Sequence, residues 1–133
     1  MDIFIISLAE ATERRSRITS ILDEAKLDYY IFDAVNGHKG LPSELIGLPD
    51  DYFRKVYKSR PLSSGERGCY ASHYLLWQKC IELGKPIVVL EDDAIPLDGF
   101  SNILSKLKEL HTKYGYIRLE TQSGKQSRVR SVD

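Results

Sequence analysis

Three consecutive carboxylates, Glu91-Asp92-Asp93, come directly after the apolar run PIVVL at residues 86–90. A short, wholly apolar run of this kind is typical of a central strand in a parallel sheet. Ligands of open parallel sheets bind beyond the carboxyl ends of the strands, where these side chains would lie. Adjacent carboxylates repel one another, and their oxygen atoms suit Mg²⁺ or Mn²⁺ shared with substrate phosphates. The pattern favours a divalent metal site, and the alternative is an acidic turn that caps the next helix.

A cysteine and a histidine at helical spacing, Cys69-x-x-x-His73, are a second candidate for chemistry. Two ligands alone do not make a zinc site. Both residues share a helical stripe with Leu76, Trp77 and Cys80, which predicts a buried face. We therefore expect His73 to be a hydrogen-bonded core histidine, Cys69 a small core residue and Trp77 buried. Cys69 and Cys80 would lie roughly 16 Å apart on one helix, too far for a disulfide, and free cysteines suit a reducing compartment.

Arginines crowd the start of the first predicted helix, which covers residues 10–27: Arg14, Arg15 and Arg17. Cations near a helix N-terminus oppose the helix dipole. One interpretation is a solvated basic face, and the other is that an anion binds there.

The composition excludes several classes of protein. The chain has 133 residues, 42% of them hydrophobic, with 19 basic and 19 acidic side chains. This length suits one folded domain, and the absence of net charge argues against bulk electrostatic binding of nucleic acid. No P-loop, Gly-x-Gly-x-x-Gly or Gly-x-Ser-x-Gly motif is present, which argues against a standard nucleotide hydrolase, dehydrogenase or esterase. The first residues, MDIFIISLAE, lack the basic flank and cleavage site of a signal peptide, so we expect a cytoplasmic protein.

The predicted elements alternate between strands and helices. Strands are predicted at residues 2–8, 28–35, 86–90 and 116–119, long helices at 10–27, 64–83 and 99–112, and short helices at 42–47 and 50–57 within a loop-rich segment, 36–62. Capping signals set the ends: Thr12 and Asp98 at two helix starts, the capping box Ser63-x-x-Glu66, and Gly84. Residues 122–133 show no periodicity and are predicted to be a polar basic tail.

This order predicts an α/β fold with a Rossmann-like parallel sheet. A phosphoacceptor receiver domain is a small α/β alternative with clustered acids. A receiver needs an acidic pair at the end of its first strand, where this sequence has Ser7-Leu8. The receiver interpretation is therefore the weaker one.

Four blocks in order resemble glycosyltransferase family 25, the lipooligosaccharide and lipopolysaccharide galactosyltransferases of Gram-negative bacteria. The blocks are Ile5-Ile6-Ser7-Leu8 with Arg14-Arg15, then Phe32-Asp33-Ala34-Val35-Asn36-Gly37, then LSSGERGCYASH at residues 62–73, then Val89-Leu90-Glu91-Asp92-Asp93-Ala94. Ile117-Arg118-Leu119-Glu120-Thr121 is similar to the family's next strand. The resemblance covers residues 3–121 and implies the nucleotide-sugar-binding half of a GT-A fold, a domain over residues 1–121.

The resemblance also implies roles for individual residues. The acidic run would be the family's "DxD" motif, with Asp93 as metal ligand, Glu91 near the metal or ribose, and Asp92 beside the nucleotide sugar. Strand-end residues would contact the uridine, and first-helix arginines the diphosphate. These residues are Ser7, Leu8, Asp33, Ala34 and Gly37 for the uridine, and Arg14 and Arg15 for the diphosphate.

The implied activity is metal-dependent, inverting transfer of galactose from UDP-galactose to lipooligosaccharide, with Mn²⁺ or Mg²⁺, at the cytoplasmic face of the inner membrane. Transfer needs a base that deprotonates the acceptor hydroxyl, and Glu120 is the candidate. Family members are much longer than this sequence. The alternative is therefore a truncated, inactive remnant that binds UDP-sugar without transfer.

Overall fold

The computed structural model describes residues 1–120, and the predicted tail at 122–133 lies outside them. Three strands, β1 (Asp2–Ser7), β2 (Tyr30–Asp33) and β3 (Ile87–Glu91), alternate with four α-helices, α1 (Thr12–Glu24), α2 (Asp51–Lys58), α3 (Ser64–Leu83) and α4 (Phe100–Leu110). Short 3₁₀ turns occupy Gly37–Lys39 and Ser43–Leu45, the second within the helix predicted at 42–47. The α/β prediction is confirmed. No helix among the described residues is long and apolar enough to cross a membrane.

The three strands form one parallel sheet in the order β2-β1-β3. β1 is central, with Ser7 opposite Asp33 on β2 and Ile6 opposite Glu91 on β3. After β1 the chain adds β2 on one side of it and later adds β3 on the other side. The switch point therefore lies between the carboxyl ends of β1 and β3, which is where open α/β sheets bind their ligands.

The main core lies between the sheet and helices α1 and α4. Its buried members are the aliphatic residues Ile3, Ile5, Ile18, Leu22, Val88, Leu104 and Leu107. Complete burial of one such side chain contributes about 1.5–3 kcal/mol. This core packing holds β1 and α1 together, and the residues at the carboxyl end of β1 and at the start of α1 lie at its border.

Helix α3 has the ends that its sequence predicts. Ser63 and Glu66 form a complete capping box, and Gly84 ends the helix in the left-handed conformation, with φ 61°. The hydroxyl of Ser72 is fully buried, where it accepts a hydrogen bond from the Val35 amide (2.9 Å) and donates to the Gly68 carbonyl (2.7 Å). This bond attaches the turn after β2 to α3.

Two glycines permit that attachment. A Cβ on Gly68 would lie 2.4 Å from the Val35 carbonyl oxygen and 2.7 Å from the Gly37 amide nitrogen. A Cβ on Gly37 would lie 1.8 Å from the Ser64 carbonyl oxygen. Real Cβ contacts essentially never fall below 3.0 Å, so both positions need a residue without a side chain.

The 36–62 segment is fastened to the first turn of α3 by charge. The Glu66 carboxylate accepts hydrogen bonds from Arg60 (2.6 and 2.9 Å), from Arg54 (3.2 Å) and from the Ser63 amide (2.8 Å). The Arg60 guanidinium, followed by the Ser63 amide, holds the pKa of the Glu66 carboxyl well below its ordinary value of 4.5. Arg67 pairs with Asp51 at the start of α2. The sequence predicts a loop-rich segment with two short helices, and the structure shows α2 and two 3₁₀ turns there, held to α3 by these ion pairs.

Two capping predictions are wrong. Thr12 is already helical, and the preceding Ala11 holds the N-cap position without a side-chain hydrogen bond. Asp98 does not cap α4, because the chain enters that helix through Gly99 at φ 88°, which takes the N-cap position. In both cases the residue with the capping side chain is one position away from the cap.

The strand predicted at 116–119 is also wrong. Within residues 1–120 the sheet has three strands, and Tyr116–Leu119 is irregular. Ile117 packs against the main core, while Tyr116 is exposed. The apolar pattern at Tyr116–Leu119 therefore reflects the burial of Ile117 in the core and not the pairing of a strand with the sheet.

Candidate functional site

The three consecutive carboxylates, which we call the acidic turn (Glu91, Asp92 and Asp93), divide into two kinds. Asp92 is buried, at 6% exposure, whereas Glu91 and Asp93 are exposed. The Ser7 hydroxyl donates to Asp92 Oδ2 at 2.8 Å, and Arg14 Nη1 lies 3.4 Å from Asp92 Oδ1. The negative charge of Asp92 is therefore satisfied within the protein, whereas the carboxylates of Glu91 and Asp93 are open to solvent, that of Glu91 with one oxygen beside His73.

Asp92 joins the end of β3 to the end of β1. Its amide donates to the Ile6 carbonyl at 3.0 Å, continuing the ladder past β3, and its side chain holds Ser7. A buried carboxylate is stable only when it is paired and hydrogen-bonded. The role that this geometry shows for Asp92 is to fix the spacing of the two strand ends.

Arg15 makes the corresponding link between β1 and β2. Its Nε donates to the Ser7 hydroxyl (3.3 Å), and its Nη2 donates to the Ser7 carbonyl (3.1 Å) and to Asp33 Oδ1 (2.8 Å). The arginines at the start of α1 thus meet carboxylates at the sheet edge, Arg14 with Asp92 and Arg15 with Asp33. This pairing explains the unfavourable placement of cations at the start of a helix.

The other predicted contact residues surround the same edge. The Ala34 amide donates to the Ser7 carbonyl at 2.9 Å, and Leu8 is half-buried in the turn that leads into α1. Ser7 is fully buried, and Asp33 has a side chain that is 73% exposed. Gly37 packs against α3. The structure therefore gathers the predicted residues of β1, β2, α1 and β3 at one edge of the sheet.

Glu120 lies apart from that set of contacts. It is exposed and pairs with Arg118, two residues earlier. Its role as a base remains a prediction.

The stripe predicted on α3 is rotated from the true buried face. Trp77 is 46% exposed and Cys69 is exposed, so the predictions of a buried tryptophan and a core cysteine are wrong. The buried residues of α3 are instead Gly68, Ala71, Ser72 and Leu76. Small residues at helical spacing are the sequence signal for this face, because only they allow the turn after β2 to approach so closely. Both cysteines lie on α3 and are free, as predicted.

His73 is hydrogen-bonded as predicted, but it lies at the sheet edge and is only half-buried. Its Nε2 lies 3.1 Å from Glu91 Oε1. The Cys69 thiol belongs to the same group, because the ligand atoms of Cys69, His73 and Glu91 all lie within 4.8 Å of one another. Burial, then the negative charges of Glu91 and Asp93, raises the pKa of the Cys69 thiol.

The fold and the residues at the carboxyl ends of its strands together define a Rossmann-like α/β protein with the acidic turn at its switch point. The chain belongs to glycosyltransferase family 25, because that family's model, described as "Glycosyltransferase family 25 (LPS biosynthesis protein)", matches residues 1–131. The resemblance found in the sequence is thereby confirmed at the level of the family.

Curated relatives include named galactosyltransferases and named inactive members. The chain is 37% identical over 112 residues to a "Probable inactive glycosyltransferase 25 family member 3" of Rattus norvegicus, covering 81% of the chain and 20% of the relative. It is 37% identical over 113 residues to "Procollagen galactosyltransferase 2" of Homo sapiens, covering 81% and 18%. The chain spans about a fifth of the length of these relatives. Family membership is therefore compatible with both active and inactive proteins.

Proposed function

We propose that residues 1–121 form the donor-binding part of a galactosyltransferase of lipooligosaccharide assembly, which binds UDP-galactose together with Mn²⁺ or Mg²⁺. The observation that carries this proposal is the acidic turn at the switch point, with two of its three carboxylates exposed. Ligands of open parallel sheets bind at this position. The family's galactosyltransferases support the choice of donor sugar.

The donor set of the acidic turn fits a hard divalent cation. Asp93 and Glu91 both have exposed carboxylates, Glu91 with one oxygen beside His73 and the other free of such a contact, and carboxylate oxygens are the ligands that Mg²⁺ and Mn²⁺ prefer. Asp92 is already paired with Ser7 and Arg14. We therefore assign the cation to Asp93 and Glu91, with Asp92 supporting them from behind. When bound, the cation would neutralise charge on the diphosphate of the departing UDP.

Arg14 is the better placed of the two arginines for a diphosphate. Its side chain is 50% exposed and forms one ion pair, between Nη1 and Asp92 Oδ1. A guanidinium carries five N–H donors, so others remain for phosphate oxygens. Arg15 is held by Ser7 and Asp33 and positions the strand ends. The exposed Asp33, with Ala34 and Gly37 after it and Leu8 at the paired end of β1, would form the uridine side of the site.

The test is calorimetric titration of UDP-galactose into the protein, with and without Mn²⁺. Asp93→Asn should abolish the Mn²⁺-dependent binding and leave the melting temperature unchanged, because Asp93 is exposed. Asp98→Asn is the matched control, since it removes an equal charge from another exposed position five residues away. Unchanged binding by Asp93→Asn, or equal loss in both variants, would refute the metal assignment.

Transfer is a separate question, because binding alone forgoes the orientation of the acceptor, which can be worth about 7–11 kcal/mol of the barrier. We propose that this chain by itself binds UDP-galactose with little or no transfer, since it spans only about a fifth of the length of the galactosyltransferase relative. The measurement is transfer of radiolabelled galactose with Mn²⁺. Truncated lipooligosaccharide is the first acceptor. A procollagen peptide is the second, because the human relative is named a procollagen galactosyltransferase. Multiple turnovers on either would show that the base lies within this sequence, and Glu120→Gln would be the first variant to assay.

The place of action belongs to the same proposal. A lipooligosaccharide acceptor would put the protein at the cytoplasmic face of the inner membrane, by peripheral contact. Fractionation of cells that express the tagged protein tests this, and recovery of all of it away from the membrane fraction would contradict the peripheral contact.

A further inference from the structure

A mixed group of sulfur, nitrogen and oxygen ligands lies beside the acidic turn. Cys69 and His73 are four residues apart on α3 and therefore share one side of the helix. Glu91 comes from the end of β3 and places Oε1 3.1 Å from His73 Nε2. The ligand atoms of these three residues all lie within 4.8 Å of one another. The group thus joins α3 to the end of β3 through residues His73 and Glu91, which are 18 positions apart along the chain.

This donor set suits a different cation from the one proposed for Asp93. A thiolate and an imidazole favour Zn²⁺ and its neighbours in the transition series, whereas Mg²⁺ and Mn²⁺ prefer oxygen. Zinc–ligand bonds of about 2.0–2.3 Å imply ligand atoms roughly 3.3–3.8 Å apart in a tetrahedral site. The widest separation in the group is therefore within about 1.5 Å of that geometry, a distance that rotation of the exposed Cys69 and Glu91 side chains can cover.

The surroundings also suit a cation. Cys69 and Glu91 are exposed and His73 is half-buried, so an ion reaches all three from solvent. The charges of Glu91 and Asp93 both act on the thiol, and a divalent ion would offset that repulsion. The two helical ligands sit on a capped helix of 20 residues, which holds them at a fixed spacing.

We propose that Cys69, His73 and Glu91 form a binding site for Zn²⁺, with three protein ligands and a fourth position open to water. Binding replaces the hydrogen bond between His73 Nε2 and Glu91 Oε1 with a bond from the metal to each atom, and the imidazole takes the tautomer whose proton is on Nδ1. A bond from the metal to the Cys69 sulfur also forms, and the thiol proton passes to solvent. This site does not depend on the proposed function, and its test needs no nucleotide.

The experiment titrates the reduced full chain with Zn²⁺ against a chromophoric chelator, and in parallel with Co²⁺, whose absorption spectrum reports thiolate ligation. The expected result is binding of one ion per chain with a thiolate-to-Co²⁺ charge-transfer band. Cys69→Ser should abolish the band, and both Cys69→Ser and His73→Gln should weaken Zn²⁺ binding by about 100-fold or more, since loss of mere outer-shell partners costs 10–100-fold. Cys80→Ser is the matched control, because Cys80 lies on the same helix with its thiol against the Lys85 carbonyl.

Several results would overturn the site: no Zn²⁺ binding by the wild-type chain, a band that survives Cys69→Ser, or equal loss in Cys80→Ser. Circular dichroism and a melting curve of each variant ensure that a loss is not caused by unfolding. If Cys69→Ser does not fold, the decision moves to Cys69→Ala and to protection of the Cys69 thiol in the wild-type chain. Zn²⁺ should slow its alkylation and leave that of Cys80 unchanged, and an unprotected Cys69 would overturn the site.

A consequence for UDP-galactose rests on the proposed function, because Glu91 would serve both cations. Zn²⁺ should weaken Mn²⁺-dependent binding of UDP-galactose in the wild-type chain and not in Cys69→Ser. The two proposals fail separately: absence of Mn²⁺-dependent binding refutes the proposed function, and absence of Zn²⁺ binding refutes this site.

Discussion

Replacing Gly68 by alanine would place a Cβ atom 2.4 Å from the Val35 carbonyl oxygen and 2.7 Å from the Gly37 amide nitrogen. Both neighbours are backbone atoms, which cannot rotate away as the end of a flexible side chain can. The variant therefore forces α3 away from the turn after β2. That movement would strain the hydrogen bond between the Ser72 hydroxyl and the Val35 amide.

The expected magnitude is the difference of two effects. Overpacking typically costs about 1–3 kcal/mol, and the rigid neighbours place Gly68→Ala at the upper end. Alanine is better than glycine within a helix by about 1 kcal/mol, which offsets part of that cost. We expect a net loss of about 2 kcal/mol in the free energy of unfolding. Gly65→Ala, on the same helix, meets nothing within 4 Å and should gain up to about 1 kcal/mol.

Urea denaturation of both variants, followed by circular dichroism, measures this difference. The variants should move the midpoint in opposite directions and be separated by about 2–3 kcal/mol. Equal stability of Gly68→Ala and Gly65→Ala would refute the close approach of α3 to the turn. It would also remove the physical reason for the small residues on the buried face of α3.

Three further predictions concern stability. Trp77→Ala should lower the free energy of unfolding by roughly 1–2 kcal/mol, less than the roughly 3–5 kcal/mol typical of a buried aromatic, because Trp77 is 46% exposed. Leu76 is fully buried, so Leu76→Ala should cost about 2–5 kcal/mol, and melting curves that show the reverse order would contradict the burial pattern of α3. Arg60 is the main cause of the lowered pKa of Glu66, so the contribution of Glu66 to folding stability is complete above its ordinary pKa of 4.5 and is lost as the pH falls through the lowered value. Below pH 4.5 the melting temperature of Glu66→Gln should therefore fall less steeply than that of the wild type, and parallel curves would contradict this. Ser7→Ala should cost about 1–3 kcal/mol by leaving the buried Asp92 without its hydroxyl donor, and a urea midpoint equal to that of the wild type would show that Asp92 is not held as described.

The sequence predicts best what depends on neighbouring residues. The capping box Ser63-x-x-Glu66 and Gly84 predict both ends of α3, because each signal acts within one helical turn. The apolar run at 86–90 predicts β3 to within one residue. The edge to which the acidic turn belongs follows from the rule that parallel strands end on one side of the sheet.

What the sequence does not predict depends on distant partners. The bond between Ser7 and Asp92 joins residues 85 positions apart, so nothing local distinguishes Asp92 from Asp93. The strand expected at Tyr116–Leu119 fails for a similar reason, because strand pairing is a contact with a distant segment that the local apolar pattern does not report. The buried face of α3 escapes prediction because large apolar residues dominate the pattern, while the contact itself is made by small ones.

The attachments of the 36–62 segment have a consequence for how the protein opens. They converge on residues 63–68: Glu66 and Arg67 hold the arginine and aspartate side chains of the segment, and Gly68 receives the turn after β2. If the first turn of α3 unwinds, all of these contacts are released in one event. The segment, the turn and the first turn of α3 then behave as one cooperative unit in amide hydrogen exchange, separate from the more protected core of β1 and α1. Asp33 lies at the boundary between the two units, so one side of the ligand edge would open to exchange while β1 stays closed.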